Sequence, residues 1–268
     1  MISVLKDIVA RKFVEVERAR EAVPLAALKE RISELGRPRN FFQAVVDRRH
    51  PNATHIIAEV KRKSPSAGVI RADFDPVAIA RAYAENGASA ISCLTDEHDF
   101  GGRLEYIHQI RDAVKIPVLR KDFIVDIYQV WESRAAGADA ILLIAEALPE
   151  RDIIDFQILA TELGMTTLIE VHDVDNLLRI VNVVGFPHVS YSLLGINNRD
   201  LRTMKTSIEH SMRLAEMLED TSVLVAESGI RTPEDLARLR AHGIHIALVG
   251  EHLMKQPDPG AALRELLA

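Results

Sequence analysis

Short apolar runs alternate with longer amphipathic segments along the chain from about residue 55. Several of these runs, such as DAILLIA and HIALVG, lack the polar alternation of a half-exposed strand. Continuous apolar character is typical of parallel strands that are buried on both faces. The eight predicted strands cover residues 55–60, 88–94, 117–121, 138–144, 166–170, 192–197, 223–228 and 245–249.

The segments between these runs have the spacing of amphipathic helices. Examples are PVAIARAYAENG (76–87), VWESRAAGA (130–138) and TPEDLARLRAHG (232–243), which each reach a glycine, the expected helix stop. Thr232 is a predicted N-cap, followed by Pro233 in the first turn. Strand and helix together recur at roughly 25–30 residues, the size of a βα unit. Eight such units predict a (β/α)8 barrel, that is, an α/β TIM barrel.

An open, doubly wound sheet is the alternative fold. That fold usually begins with a glycine-rich first turn, but the corresponding segment here is KRKSPSAG and no GxGxxG occurs. Residues 1–50 fall outside the repeat and read as two amphipathic helices separated by Pro24. We therefore predict one domain over residues 1–268, with a barrel at 55–268 and an N-terminal helical extension at 1–50 that packs near the barrel's mouth.

The composition narrows the classes of function. Apolar residues make up 48% of the 268 residues, enough for a sizeable core, and the formal net charge of −6 disfavours nucleic acid and anionic membranes as partners. Cys93 is the single cysteine, which indicates a reducing compartment. The charged N-terminus is unlike a signal peptide, and no run of 18 apolar residues occurs. We predict a cytoplasmic protein that binds neither nucleic acid nor membrane.

Polar side chains stand at the ends of several predicted strands. The first strand ends in IIAEVKRKSPS, where Glu59 and Lys61 point to the same side. Such strand ends share one mouth in a (β/α)8 barrel, and that mouth carries the active site. The other members are Lys121, Glu170, Asn197, Arg199, Glu227 and Ser228. One of them alone could be a solvated loop residue, whereas five such strand ends together predict an enzyme.

Lys121 and Glu170 are the best acid and base candidates, because a mouth that mixes lysines with carboxylates can tune their pKa values. A phosphate site is predicted beside them. Gly229 and Gly250 follow the last two strands and let backbone N–H groups approach a phosphate, with Ser64 across the mouth.

Other candidate residues have structural explanations. The ten histidines show no metal-binding spacing, so we predict no metal site. Cys93 lies inside the second strand and is predicted to be a buried structural thiol. Phe100 and Phe123 follow strands two and three and could line an apolar part of the pocket or belong to the ordinary core.

These segments together resemble the indole-3-glycerol-phosphate synthase family. The resemblance rests on EVKRKSPS, LRKDF, LIEVH, INNRDL, VAESGI and ALVGEHLM, and it extends from Ile56 to the C-terminus with a helical N-terminal extension before it. It implies cofactor-free ring closure of 1-(2-carboxyphenylamino)-1-deoxyribulose 5-phosphate, with loss of carbon dioxide and water, in tryptophan biosynthesis. The implied partner is this phosphorylated small molecule, and other enzymes of the pathway are candidate partners.

The resemblance also implies catalytic roles. Lys121 corresponds to the lysine that acts as general acid on the substrate carbonyl, and Glu170 to a general base or proton carrier in the dehydration. Glu59 and Asn197 correspond to residues that orient Lys121 and the substrate hydroxyls. Which group accepts the second proton stays open.

Binding roles follow in the same way. The implied substrate-binding residues are Lys61, Arg199, Glu227, Phe100, Phe123, Pro65, Leu142 and Leu201, the last five as an apolar wall around the anthranilate ring. The implied phosphate-binding residues are Ser64, Ser228, Gly229, Gly250 and the backbone N–H of Glu251. His252 departs from the family, many of whose members have serine there.

Three alternative functions would have different residue requirements at the site. A phosphoribosylanthranilate-isomerase-like barrel would use a cysteine base at the end of strand one, where Glu59 stands. A Schiff-base aldolase would usually have a lysine on strand six, where Asn197 stands. A non-catalytic barrel that binds a phosphorylated metabolite would not need both Lys121 and Glu170.

Overall fold

Eight parallel strands close into a barrel in the computed structural model, which describes residues 3–46, 53–200 and 203–268. The first strand pairs with the second on one side and with the eighth on the other. This architecture confirms the predicted (β/α)8 fold, and the strand ends differ from the prediction by at most two residues. The strands are β1 His55–Val60, β2 Ala90–Leu94, β3 Val118–Lys121, β4 Ala140–Ile144, β5 Thr166–Val171, β6 Ser192–Asn197, β7 Leu224–Glu227 and β8 Ile246–Val249.

Helices precede the barrel and connect its strands. Across the described ranges, none of them is both long and apolar enough to cross a lipid bilayer. The α-helices are α1 Ser3–Ala22, α2 Leu25–Glu34, α3 Phe41–Val45, α4 Pro76–Glu85, α5 Glu97–Phe100, α6 Glu105–Ala113, α7 Ile127–Ala135, α8 Glu150–Glu162, α9 Val174–Ile180, α10 Glu209–Ala215, α11 Pro233–Ala241, α12 Glu251–Met254 and α13 Pro259–Leu266. Short 3₁₀ turns cover Ala145–Ala147, Val181–Val183 and Val189–Tyr191, and a two-stranded ribbon pairs Lys63–Ser64 with Gly68–Val69.

Local capping explains where two of these helices begin. The predicted N-cap of α11 is confirmed, because the Thr232 side chain accepts a 3.3 Å hydrogen bond from the backbone N–H of Asp235. Helix α7 begins three residues before its predicted start. Asp126 caps it there, accepting from the backbone N–H of Tyr128 at 2.7 Å, and Gln129 completes a capping box.

The strands are buried on both faces, which explains their continuous apolar character. Alternate residues point into the barrel or outward against the helices. The inward-facing layer includes Ile57, Leu119, Leu168, Leu193 and Ile246. The outward-facing layer includes Ile56, Ile91, Ile141, Ile169 and Ile196.

The third helix of the N-terminal extension closes the end of the barrel opposite the mouth. Phe41 and Val45 are fully buried in the same cluster as the inward-facing strand residues. Just before this helix, the Arg39 backbone N–H donates to Asp139, which precedes β4. The Phe42 N–H donates to Thr166, the first residue of β5.

The prediction that the extension packs near the mouth is therefore wrong for α3. Five residues are too few for the sequence to show a helical period. The prediction is correct for α1, because its Lys12 side chain reaches Asp96 and Asp122, which follow the ends of β2 and β3.

Candidate active site

A lysine lies between two buried carboxyl groups at the mouth of the barrel. Lys121 ends β3, and its Nζ lies 2.6 Å from Glu170 Oε2 and 3.3 Å from Glu227 Oε2. Glu170 is on β5 and Glu227 ends β7, so the parallel topology brings three distant parts of the chain together. The side chains are only 13%, 4% and 2% exposed, respectively. Because little water screens them, their charges act strongly on one another.

The environment gives these groups different protonation states. Burial alone would lower the pKa of Lys121, but the carboxylates of Glu170 and Glu227 more than offset this and raise it. Burial alone would raise the pKa of Glu170, but Lys121 and His172 hold it at about 2. Burial and the neighbouring Glu170 charge raise the pKa of Glu227 well above its ordinary value. The mouth therefore holds an ammonium, the ionised Glu170 and a second carboxyl group with a raised pKa, which suits acid–base chemistry.

Asn197 and Glu59 flank this centre in different ways. The Asn197 amide donates to Glu170 Oε1 at 3.2 Å, so it helps to orient the carboxylate. Glu59 is the penultimate residue of β1 and forms an ion pair with Lys61, as their shared side of the strand predicts. Of the two residues that the resemblance assigned to orienting Lys121, Asn197 thus contacts Glu170, while Glu59 acts on Lys121 through its charge.

Two glycines make room for the carboxyl groups. A Cβ atom at Gly195 on β6 would overlap the Glu227 carboxyl group. A Cβ atom at Gly250, directly after β8, would overlap the Glu59 carboxylate. Gly250 was predicted only as part of a phosphate cradle, so the structure adds a steric role that no local pattern in the sequence shows.

The turn after β7 contains two consecutive residues in the left-handed backbone region. Ser228 and Gly229 both have positive φ, +67° and +82°, which is uncommon for serine. The Ser228 carbonyl accepts from the side chain of Asn198 at 3.1 Å. Asn198 is itself buried and accepts from the Ser211 hydroxyl at 2.8 Å, so it holds the turn in place. The sequence analysis missed Asn198, although it is the second asparagine of INNRDL.

The other predicted phosphate residues lie around this turn. Gly250 is the N-cap of α12 on the neighbouring strand. The Glu251 side chain forms two ion pairs, with Oε2 3.0 Å from Arg199 and Oε1 2.7 Å from Lys255. Ser64 is buried in the loop after β1, where its hydroxyl accepts from the Ala67 N–H at 3.2 Å.

His252 is half-buried beside this region. Burial lowers its pKa, and the positive charge of Arg231 lowers it further, while Asp235 opposes them. The imidazole is therefore neutral at neutral pH. The departure from serine places an uncharged ring, rather than a cation, at the first turn of α12.

The predicted apolar wall is partly assembled. The rings of Phe100 and Phe123 lie 6.1 Å apart between centroids, tilted by 40°. Phe123 packs against the interior cluster that contains Leu142. Pro65 is exposed in the loop after β1, and Leu201 lies outside the described residues.

Two groups of charged residues near the mouth were missed by the sequence analysis. Lys12 of α1 lies 2.9 Å from Asp96 and 2.8 Å from Asp122, and the three side chains are nearly fully buried. His172 lies beside Glu170 and contacts Glu146. Asp122 adjoins Lys121 in LRKDF and His172 stands in LIEVH, so the motifs contained these residues but did not show their partners.

The comparisons with known proteins agree with this geometry. A family model described as indole-3-glycerol phosphate synthase matches residues 5–266. A relative of that name from Rhodopirellula baltica is 46% identical over 267 residues, with complete coverage of both chains. Another, from Laribacter hongkongensis, is 44% identical over 269 residues, again with complete coverage of both.

Solved structures with low sequence identity share the fold. Thiamine phosphate pyrophosphorylase from Pyrococcus furiosus superimposes with a TM-score of 0.56 at 15% identity, over 81% of this chain and 95% of that one. A 3-hexulose-6-phosphate synthase superimposes with a TM-score of 0.62 at 15% identity, over 79% and 97%. At such identity the likeness extends to the barrel architecture alone.

Proposed function

The chain belongs to the indole-3-glycerol phosphate synthase family, and we propose that the mouth of its barrel closes the indole ring of that product. The substrate is 1-(2-carboxyphenylamino)-1-deoxyribulose 5-phosphate, and carbon dioxide and water leave. The observation that supports this assignment best is Lys121, held between Glu170 and Glu227 within the matched family region. The Lys121 ammonium and the Glu170 carboxylate supply an acid and a base at one buried site.

Lys121 is the proposed general acid for ring closure. Its ammonium donates a proton to the ketone oxygen of the substrate, and this makes the ketone carbon electrophilic. The aromatic carbon that carries the carboxylate attacks it, and a carbon–carbon bond forms. Loss of carbon dioxide from that carbon then restores the aromatic ring. The raised pKa of Lys121 keeps the proton in place until the substrate oxygen develops negative charge.

Glu170 is the proposed base for the dehydration. The hydroxyl formed from the ketone takes one proton from solvent and leaves as water, and the new five-membered ring loses one proton from the adjacent carbon. Glu170 is ionised because its pKa is held at about 2, so it can accept that proton. Lys121 lies 2.6 Å away and can receive a proton in turn, which resets the pair.

Two anchors are proposed to fold the flexible substrate. Phe100 and Phe123, with Leu142 behind them, support the aromatic ring. The turns at Gly229 and Gly250 offer backbone N–H groups to the phosphate. Fixing both ends brings the aromatic carbon to the ketone, and such orientation contributes strongly to catalysis.

Lys61 and Arg199 are proposed to bind anionic and polar groups of the substrate. Lys61 is 13% exposed and already paired with Glu59, so it presents a fixed positive charge at the mouth. Arg199 lies 3.0 Å from Glu251, and this ion pair links the loops after β6 and β8. Association with other tryptophan-pathway enzymes and a cytoplasmic location stay predictions.

The isomerase alternative requires a cysteine base, and Cys93 does not provide one. The thiol is fully buried, and burial raises its pKa, so it stays protonated away from the mouth. Incubation of the purified protein with the substrate, monitored by indole fluorescence, tests the proposed function. We expect indole-3-glycerol phosphate to form. A folded protein that leaves the substrate unchanged, or only isomerises a sugar phosphate, would overturn the assignment.

A further inference from the structure

A histidine and a second glutamate stand on the side of Glu170 that faces away from Lys121. His172 follows β5, two residues after Glu170, and its Nε2 lies 3.4 Å from Glu170 Oε1. Its Nδ1 lies 3.2 Å from Oε2 of Glu146, which is in the 3₁₀ turn after β4. The His172 and Glu146 side chains are 10% and 11% exposed, so both are largely shielded from water.

Contacts to the backbone of His172 help to fix the position of its imidazole. The other oxygen of Glu146 accepts the backbone N–H of His172 at 2.8 Å, so one carboxylate holds both the ring and the chain. The carbonyl of His172 accepts from His210 Nε2 at 2.9 Å. His210 Nδ1 accepts from Arg213 at 3.0 Å, so the His210 ring is the neutral Nε2–H form.

The charges around the ring favour its protonated form. Burial alone would lower the pKa of His172, and Lys121 across the mouth also opposes protonation. The hydrogen bond to Glu146 and the charges of Glu170 and Glu146 more than offset these effects and raise the pKa of His172 above its ordinary value. The ring Nδ1–H then donates to Glu146, while the ring Nε2–H forms an ion pair with Glu170 Oε1 at 3.4 Å.

A second cation beside Glu170 has a specific use in the proposed reaction. When Lys121 gives its proton to the ketone, it loses the positive charge that stabilises the Glu170 anion. Without another cation, the buried carboxylate would become more basic early and could retrieve that proton from the substrate. His172 retains its charge through this step, because the catalytic lysine does not contact its ring.

We propose that His172 and Glu146 are positioning residues for Glu170, in which Glu146 orients the imidazolium and the imidazolium keeps Glu170 ionised and aimed at the mouth. This inference rests on the proposed function, since it assigns Glu170 the role of base. Neither residue is among the strand-end residues that the sequence predicts for the site.

The dependence of kcat on pH tests the inference. His172→Gln keeps an N–H donor toward Glu170 but removes the charge. We expect the acid limb of the kcat profile to move up by about 1–3 pH units, the usual effect of a nearby opposite charge on a carboxyl group. Near pH 8, where Glu170 is ionised in both proteins, the loss of kcat relative to wild type should be smaller than on the acid limb. An acid limb that does not move would overturn the proposal.

Glu146→Gln separates positioning from a merely structural role. If Glu146 acts through His172, Glu146→Gln should move the acid limb in the same direction but by less. Adding it to His172→Gln should then cause no further movement. His210→Gln is the matched control, because His210 supports the same residue through its backbone carbonyl and carries no charge. Additive shifts in the double variant, or an equal shift in His210→Gln, would contradict the inference.

Titration of ¹⁵N-labelled histidine by NMR gives a readout that does not depend on turnover. We expect the His172 ring of the intact protein to be predominantly imidazolium at pH 6.5, and less so in Glu146→Gln. A neutral ring at that pH would overturn the proposal even in an active enzyme. Failure of the proposed function would be recognised separately, because wild type would then form no indole product.

Discussion

Replacement of Lys121 by methionine gives the sharpest test of the active site. The change preserves chain length and packing but removes the ammonium that lies 2.6 Å from Glu170 and 3.3 Å from Glu227. General acids contribute about 10²–10⁴-fold in rate. This corresponds to about 2.7–5.4 kcal/mol of transition-state stabilisation. We expect kcat to fall by at least 100-fold.

The structure also predicts how the variant accommodates the loss. Without the ammonium, the Glu170 and Glu227 carboxyl groups keep only His172 as a nearby cation, so they bind a proton more readily. Lys121 is the largest of the influences that lower the Glu170 pKa, and its removal should raise that pKa. The remaining activity should therefore decline at a higher pH than in wild type as the solution is acidified. The fold should survive, because proton uptake neutralises the buried carboxylate that has lost its ammonium partner.

Lys61→Met is a closely matched control. Both lysine side chains are 13% exposed, and each forms an ion pair with a buried glutamate. Lys61 is proposed to bind substrate without transferring a proton, so its replacement should raise KM more than it lowers kcat. Steady-state indole fluorescence gives both constants, and circular dichroism with thermal melting checks folding. A kcat for Lys121→Met within a few-fold of wild type, or a larger kcat loss for Lys61→Met, would refute the assignment.

Three further changes test how the scaffold supports this site. Gly195→Ala should lower kcat, because the added methyl overlaps the Glu227 carboxyl group. Gly36→Ala is the control and should not lower kcat, because no atom lies within 4 Å of the new Cβ. Equal activities of the two variants would contradict this prediction. Phe41→Ala should cost about 3–5 kcal/mol in urea unfolding, because it opens a cavity at the closed end of the barrel; a loss below about 1 kcal/mol would show that α3 is dispensable. Lys12→Met should cost about 1–3 kcal/mol, because it removes the ammonium that Asp96 and Asp122 share while Arg11 and Arg120 stay beside them, and an unchanged urea midpoint would refute this.

The barrel and most of its mouth could be predicted from the order of residues along the chain. Strands buried on both faces are mostly apolar, so the eight strands could be predicted from short apolar runs. Parallel strands then deliver their C-terminal residues to one end, which is why Lys121, Glu170 and Glu227 could be grouped without coordinates. Motif resemblance supplied the roles for these residues, and membership of the family agrees with it.

The pairing of charged groups and the shifts of their pKa values depend on contacts between distant parts of the chain, which local patterns do not show. Lys12 meets Asp122 across about a hundred residues of chain, and α3 fills a barrel end that no local period reveals. A pKa depends on burial and on neighbours within a few ångströms, so the pKa values of Glu170 and Glu227 move in opposite directions although the two residues look alike in sequence. The contact between His172 and Glu146 likewise exists only because β4 and β5 lie side by side in the closed sheet.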